Sequence, residues 1–129
     1  FAFLGYLDMV NILKFDDINL EFDEKDMTAF HVLVFSDSVP VAVGRFFIME
    51  DNVTAYLGRI AVLKEHRGKK VGAYLLRELE QEAKKRGAQF SMLGAQLHAK
   101  GFYEKLGYQP FGEEFDDCGK MHIHMRKTL

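Results

Sequence analysis

The segment LKEHRGKKVGAYLLRELEQEAKKRG, residues 63–87, sets Arg67, Gly68, Lys69, Lys70 and Gly72 at the head of a long amphipathic run. A helix start carries backbone N–H groups without intrahelical partners, and the macrodipole adds positive potential there. Stability alone therefore favours acidic residues at that end. Cations in that place make sense if an anion sits among them, and Gly68 and Gly72 permit close backbone approach. Two familiar phosphate loops are excluded by spacing. The segment holds no G-x-x-x-x-G-K-[ST], and no G-x-G-x-x-G with an acidic residue about 20 positions on. A basic, solvated turn ahead of an ordinary helix is the competing reading of the same residues.

Other polar side chains allow proton or metal chemistry. Cys118, His122 and His124 could be drawn together as a metal site, since His122 and His124 share a strand face at period 2. Their spacing matches no strong zinc signature, so no metal is expected. His31 and His122 are candidate proton acceptors, because an unperturbed imidazole titrates at about pH 6.5. Each is equally compatible with a structural role. Glu21, Asp23 and Asp26 would attract a cationic ligand or simply form an acidic turn.

These residues need elements to hold them. FHVLVFSDSVPVAVGRFFIME reads as two strands joined around Ser36, Asp37 and Ser38, and Glu50, Asp51 and Asn52 make the next turn. VTAYLGRIAVL, residues 53–63, is a further long strand. The spacing then predicts a helix over 71–86. Gly72, Leu75, Leu76, Leu79 and Ala83 fall in one narrow arc at helical periodicity, with Gly87 as the stop. Glu80 with Lys84, and Glu82 with Arg86, are i,i+4 pairs in the favourable order. AQFSMLGA is a short buried strand, HAKGFYEKL a short helix ended by Gly107, and KMHIHMRKTL a last strand. Strand, helix and strand across 53–95 form a βαβ unit, so a parallel strand pair is expected in an α/β fold. The cationic turn then lies between a strand end and its crossover helix, where α/β proteins bind ligands.

Length and composition bound what such parts belong to. At 129 residues the chain is read as one domain, 1–129. A net charge of −2 and a pI of about 6.2 argue against a broad nucleic-acid-binding surface, so any phosphate contact is local. Cys118 is the only cysteine, which rules out an internal disulfide and fits a reducing compartment. No apolar run approaches the roughly 20 residues of a membrane-spanning helix, so no membrane partner is expected. The opening FAFLGYLDMVNIL holds Asp8 and Asn11 and lacks the marks of a signal peptide. The chain begins with Phe1 rather than Met, which leaves room for an N-terminal truncation.

AQLHAKGFYEKLGY, residues 95–108, resembles the signature of GNAT-type N-acetyltransferases, N-x-x-A-x-x-F-Y-x-x-x-G-F. Gln96, Ala99, Phe102, Tyr103, Gly107 and Tyr108 fill its places. The cationic turn is similar to that family's acyl-CoA pyrophosphate loop, [QR]-x-x-G-x-[GA], with Arg67 first, Gly72 last and Lys70 in place of the middle glycine. A finer resemblance points to the ElaA-like branch. Glu21, Asp23, Asp26 and His31 match E-x-D-x-x-D-x-x-x-x-H, and Gly119, His122 and Met125 match G-I-P-H-x-x-M, with Met121 where the proline would be. The likeness runs from about Glu21 to Met125, and the family's first strand is short or absent here.

The resemblance implies a mixed, twisted β-sheet with helices on both faces and a splayed acyl-CoA cleft between strands 53–63 and 89–95. Acetyl-CoA is the implied co-substrate. Its pyrophosphate would lie on Arg67, Gly68, Lys69, Lys70, Val71, Gly72 and Ala73, its pantetheine along Ala61 and Val62, with Gln96, Phe102 and Tyr103 completing the cofactor side. A backbone N–H near Val62 would polarise the thioester carbonyl. Tyr103 matches the family acid for the departing thiolate; a packed tyrosine with its hydroxyl tied off is the alternative. His122 or His31 would accept the amine proton. The expected activity is acetyl transfer to an amine of a small molecule or peptide, in the cytoplasm, with a homodimer allowed. The rival is a non-catalytic acyl-CoA sensor or partner-binding module, which would keep the loop but need no chemistry at Tyr103.

Overall fold

The Val- and Phe-rich runs form a hairpin, with β1 (Phe30–Ser36) and β2 (Val39–Ile48) paired antiparallel. Asp37 and Ser38 turn it at φ 50° and 68°, the left-handed conformations that tight hairpin turns need. The computed structural model of the protein describes residues 29–68 and 70–129, so Glu21, Asp23, Asp26 and Lys69 lie outside the described residues. Asp51 shapes the next turn: its carboxylate accepts from the Val53 and Thr54 N–H groups at 3.0 and 2.9 Å and from the Thr54 hydroxyl at 2.6 Å. From there β3 (Thr54–Val62) runs back along β2.

The crossover helix α1 (Val71–Lys85) buries Leu75, Leu76, Leu79 and Ala83, as its periodicity predicts. Gly44 on β2 lets it settle, since a Cβ there would stand 2.9 Å from Leu79 Cδ1. Gly87 at φ 95° ends the helix. β4 (Phe90–Gln96) follows and pairs parallel with β3, completing the βαβ unit. Then come α2 (Lys100–Lys105), β5 (Gln109–Asp117) and β6 (Lys120–Thr128), giving one mixed six-stranded sheet in the order β1-β2-β3-β4-β6-β5. β5 was not expected as a strand. It is a largely exposed edge whose Glu113, Glu114, Asp116 and Asp117 hide the apolar alternation, and an irregularity between Phe111 and Phe115 breaks its register.

One expected ion pair is replaced. Glu82 meets Arg86 at 3.6 Å, but Glu80 turns to Lys127 of β6 at 2.9 Å instead of Lys84, and accepts from the Tyr108 hydroxyl at 2.7 Å. A half-buried partner on another strand outcompetes a solvent-exposed neighbour on the same helix. Both described helices meet on one face of the sheet. Phe102 of α2 reaches Gly72 of α1, and Tyr103 packs on Tyr108, which is bonded to Glu80 of α1.

The feature that matters most for a ligand is where β3 and β4 part. Their parallel register runs only from Thr54 opposite Phe90 to Leu57 opposite Leu93. Beyond it β3 stays with β2, while β4 stays with β6 as far as Gln96 opposite His122. An extra residue in β3 marks the parting: Val43 faces Ala61 and Arg45 faces Gly58, with Arg59 at φ 55°. A bulge of this kind bends its strand and strengthens its twist. The sheet therefore opens into a cleft between residues 58–62 and 94–96, the splay that the resemblance implies.

Candidate active site

The cationic turn sits at the mouth of this opening. Lys70 is the N-cap of α1 in the left-handed conformation, φ 64° and ψ 13°, without a side-chain cap and with no acidic residue in the first helical turn. The ladder starts with Tyr74 donating to the Lys70 carbonyl at 3.1 Å, so the N–H groups just ahead lack an intrahelical acceptor. Their positive end is left for an anion. A left-handed residue explains the glycine in the family loop: L side chains are disfavoured there, and Lys70 adopts it nonetheless. Gly68, at φ 81°, also has the conformation suited to glycine, and a Cβ on it would meet nothing within 4 Å. Arg67 folds back, its Nε donating to the Val62 carbonyl at 3.1 Å, which ties the turn to the end of β3.

Gly72 has a different reason from the one expected. A Cβ there would stand 3.2 Å from Phe102 Cζ and 3.9 Å from Val62 Cγ2. Its close approach is to another side chain of the cleft, so crowding at this position would act through Phe102 as well as through any phosphate. Val71 packs against the core and Ala73 is half-buried on the same turn.

At the strand end Ala61 is buried and faces Val43. Leu63 donates to the Val41 carbonyl at 2.8 Å. Ladder directions alternate along a strand, so the N–H of Val62 points the other way, into the opening that β4 has vacated.

Tyr103, on α2, packs into the core. Its ring packs edge-on to Phe102 at 5.1 Å and to Tyr108 at 6.0 Å, and the residue is only 9% exposed. Burial pushes its hydroxyl up to about 12, so it stays protonated at neutral pH. Among the described residues the Tyr103 hydroxyl has no hydrogen-bond partner. The tyrosine with a tied-off hydroxyl is Tyr108, which donates to Glu80 and shares a 2.6 Å bond with Ser91 Oγ. Gln96, at the end of β4, accepts from His98 Nε2 at 2.7 Å.

The two histidine candidates separate. His122 lies opposite Gln96 on β6, at the open end of the cleft, and is 8% exposed. Its Nδ1 lies 2.8 Å from the Lys120 carbonyl, an obligatory acceptor, so the neutral ring carries its proton on Nδ1 and leaves Nε2 as the lone-pair nitrogen. His31 is on β1 opposite Arg45, two strands away from the parting.

An aromatic cluster on the sheet face away from α1 and α2 was not legible in the sequence. Phe115 stacks on His124 at 4.4 Å and on His122 at 5.7 Å, and Tyr56 meets His124 edge-on at 6.2 Å. Burial and then the neighbouring His122 hold the His124 imidazole below its ordinary range. The period-2 pattern of MHIHM placed both histidines on one face. Nothing in the sequence tied them to Tyr56 on β3 or to β5. Among the described residues no group of His, Cys, Asp and Glu is placed to hold a metal ion, and no helix is long and apolar enough to cross a membrane.

An opened parallel strand pair leading to an uncapped helix start suits a long ligand with phosphates at one end, and the protein is an acyl-CoA-dependent N-acyltransferase. It belongs to the GNAT family: residues 11–129 match the acetyltransferase (GNAT) domain. It is 40% identical over 108 residues to the uncharacterized N-acetyltransferase YjcF of Bacillus subtilis (strain 168), spanning 83% of this chain and 76% of that protein. Its structure is similar to that of Escherichia coli ElaA, with a TM-score of 0.77, 27% identity, and coverage of 98% of this chain and 87% of that one. It is also similar to the PaiA N-acetyltransferase of Thermoplasma acidophilum, solved in complex with coenzyme A. There the TM-score is 0.65 and the identity 26%, over 78% of this chain and 61% of the other.

Proposed function

We propose that the protein transfers an acetyl group from acetyl-CoA to an amine of a small molecule or peptide. The observation that carries this reading is the pairing of Tyr103, whose hydroxyl has no partner among the described residues, with a strand parting toward which the Val62 N–H points. On this reading the pyrophosphate rests on the first turn of α1 with Arg67, Gly68, Lys69 and Lys70 around it. The pantetheine follows Ala61 and Val62, taking the hydrogen-bonding place that β4 leaves empty. Gln96 and Phe102 border the same channel.

The chemistry assigns one task to each group. The Val62 N–H faces the oxygen that gains charge as the amine attacks the thioester carbon. An amine is mostly ammonium at neutral pH, so one proton leaves to solvent before attack, and His122 Nε2 takes the second, directly or through water, from the nitrogen once it has bonded to the carbonyl carbon. As the carbon–sulfur bond breaks, Tyr103 gives its proton to the thiolate and recovers one from solvent. The products are the N-acetyl amine and free CoA thiol.

The test is a panel of amines incubated with acetyl-CoA, with release of free thiol measured. Amine-dependent thiol release is the expected result. A protein that is stabilised by acetyl-CoA but releases no thiol with any amine would be a sensor, and the reading would fall.

A further inference from the structure

Resting on this acetyl-transfer reading, we propose that the acceptor is a primary ammonium on an apolar stem with no neighbouring carboxylate. It would be held on the sheet face opposite α1 and α2 by Tyr56, Phe115 and His124, beside Asp117. Gly94 is the first residue of β4 beyond the last β3–β4 pair, so it stands at the apex of the parting. Side chains from three strands converge over it: a Cβ at Gly94 would lie 3.2 Å from Phe115 Cζ, 3.3 Å from Tyr56 Oη and 4.0 Å from His124 Cδ2. A glycine here keeps the rings against the backbone at the point where the thioester would lie. The wall is braced from both ends, by Phe47 stacked on Tyr56 at 5.6 Å and Phe111 stacked on His124 at 5.9 Å. His122 continues the same row of rings, which brings the lone-pair nitrogen to the amine.

The charges around this wall select a cation. Aromatic faces attract an ammonium through their quadrupole. Asp117 lies two residues beyond Phe115 on the same face of β5, and after burial its charge raises the Tyr56 hydroxyl. On this face Asp117 stands opposite the exposed Lys120 in register, Asp116 alternates to the other face, and Arg126 is drawn onto the Phe90 ring at 3.9 Å. Arg45, the cation acting on Tyr56, is only 9% exposed and lies over the Phe47 ring at 5.9 Å, so it offers little surface to a ligand. A carboxylate beside the amine would meet the Asp117 carboxylate and be repelled.

Calorimetric titration of the CoA-saturated protein with phenethylamine and with phenylalanine separates the possibilities without needing turnover. The two differ by a carboxylate next to the amine. Phenethylamine should bind at least about tenfold more tightly, and Asp117→Asn should narrow that gap. Tyr56→Leu should weaken phenethylamine by about fivefold or more while leaving CoA affinity within about twofold. Phe115→Leu reads the same loss if the Tyr56 variant does not fold. Phenylalanine binding as tightly as phenethylamine, or phenethylamine binding unmoved by both wall variants, would overturn the proposal. Failure of the unmodified protein to bind CoA would overturn the acetyl-CoA reading itself, and is seen before any amine is added.

Discussion

Lys70 holds a backbone conformation that a glycine would hold more cheaply. At φ 64° an L residue is disfavoured by about 1–2 kcal/mol, part of which a glycine gives back through its freer unfolded chain. Lys70→Gly should therefore leave the melting temperature unchanged or raise it by a few degrees, roughly 4 °C per kcal/mol at most, with acetyl-CoA affinity nearly kept. Lys70→Val should lower it clearly, because a β-branched residue tolerates positive φ worst. Equal melting temperatures for the valine and glycine variants would mean that the turn does not hold this conformation in solution. The residue also shows what the chain alone made legible. The family loop could be aligned through Arg67 and Gly72 in spite of Lys70, but only the backbone angle shows why a glycine is common there. Tyr103 and Tyr108 teach the same lesson from the other side. Both stand in one motif, and only packing shows that the Tyr108 hydroxyl is bonded while that of Tyr103 has no partner among the described residues.

At the scale of elements, α1 was legible because its apolar arc repeats along one surface, and the hairpin because its turn residues are explicit. β5 was hidden because an exposed edge strand has little apolar alternation to show, and the bulge because its left-handed residue is Arg59, with only the neighbouring Gly58 inside the strand to hint at it. Glu80 was misassigned since its partners, Tyr108 and Lys127, come from distant segments. The contact between α1 and α2 belongs to this scale and can be measured. A methyl at position 72 would press on Phe102, whose ring is 40% exposed and able to yield. Gly72→Ala and Phe102→Ala should be non-additive in stability, with a coupling of about 0.5–3 kcal/mol. Strict additivity would show that the methyl meets something other than Phe102. Gly72→Val should also weaken acetyl-CoA, since the first turn of α1 must shift to admit it.

At the scale of the whole molecule, the sheet divides the work between its two faces. On the proposed reading Tyr103 would serve the sulfur from the side of α1 and α2, while His122 and the aromatic wall would serve the amine from the other, across the point where β3 and β4 part. The central claim is that the Tyr103 hydroxyl acts on the departing thiolate, and one substitution tests it. Tyr103→Phe keeps the ring against Phe102 and Tyr108 and removes an oxygen that no described residue engages, so the fold should be little disturbed. If the hydroxyl acts mainly in the transition state, kcat should drop while acetyl-CoA affinity hardly moves. General acid catalysis contributes about 10²–10⁴-fold, so kcat for the best amine should fall at least about tenfold, with Kd for acetyl-CoA within about twofold. An unchanged kcat in Tyr103→Phe would contradict the account.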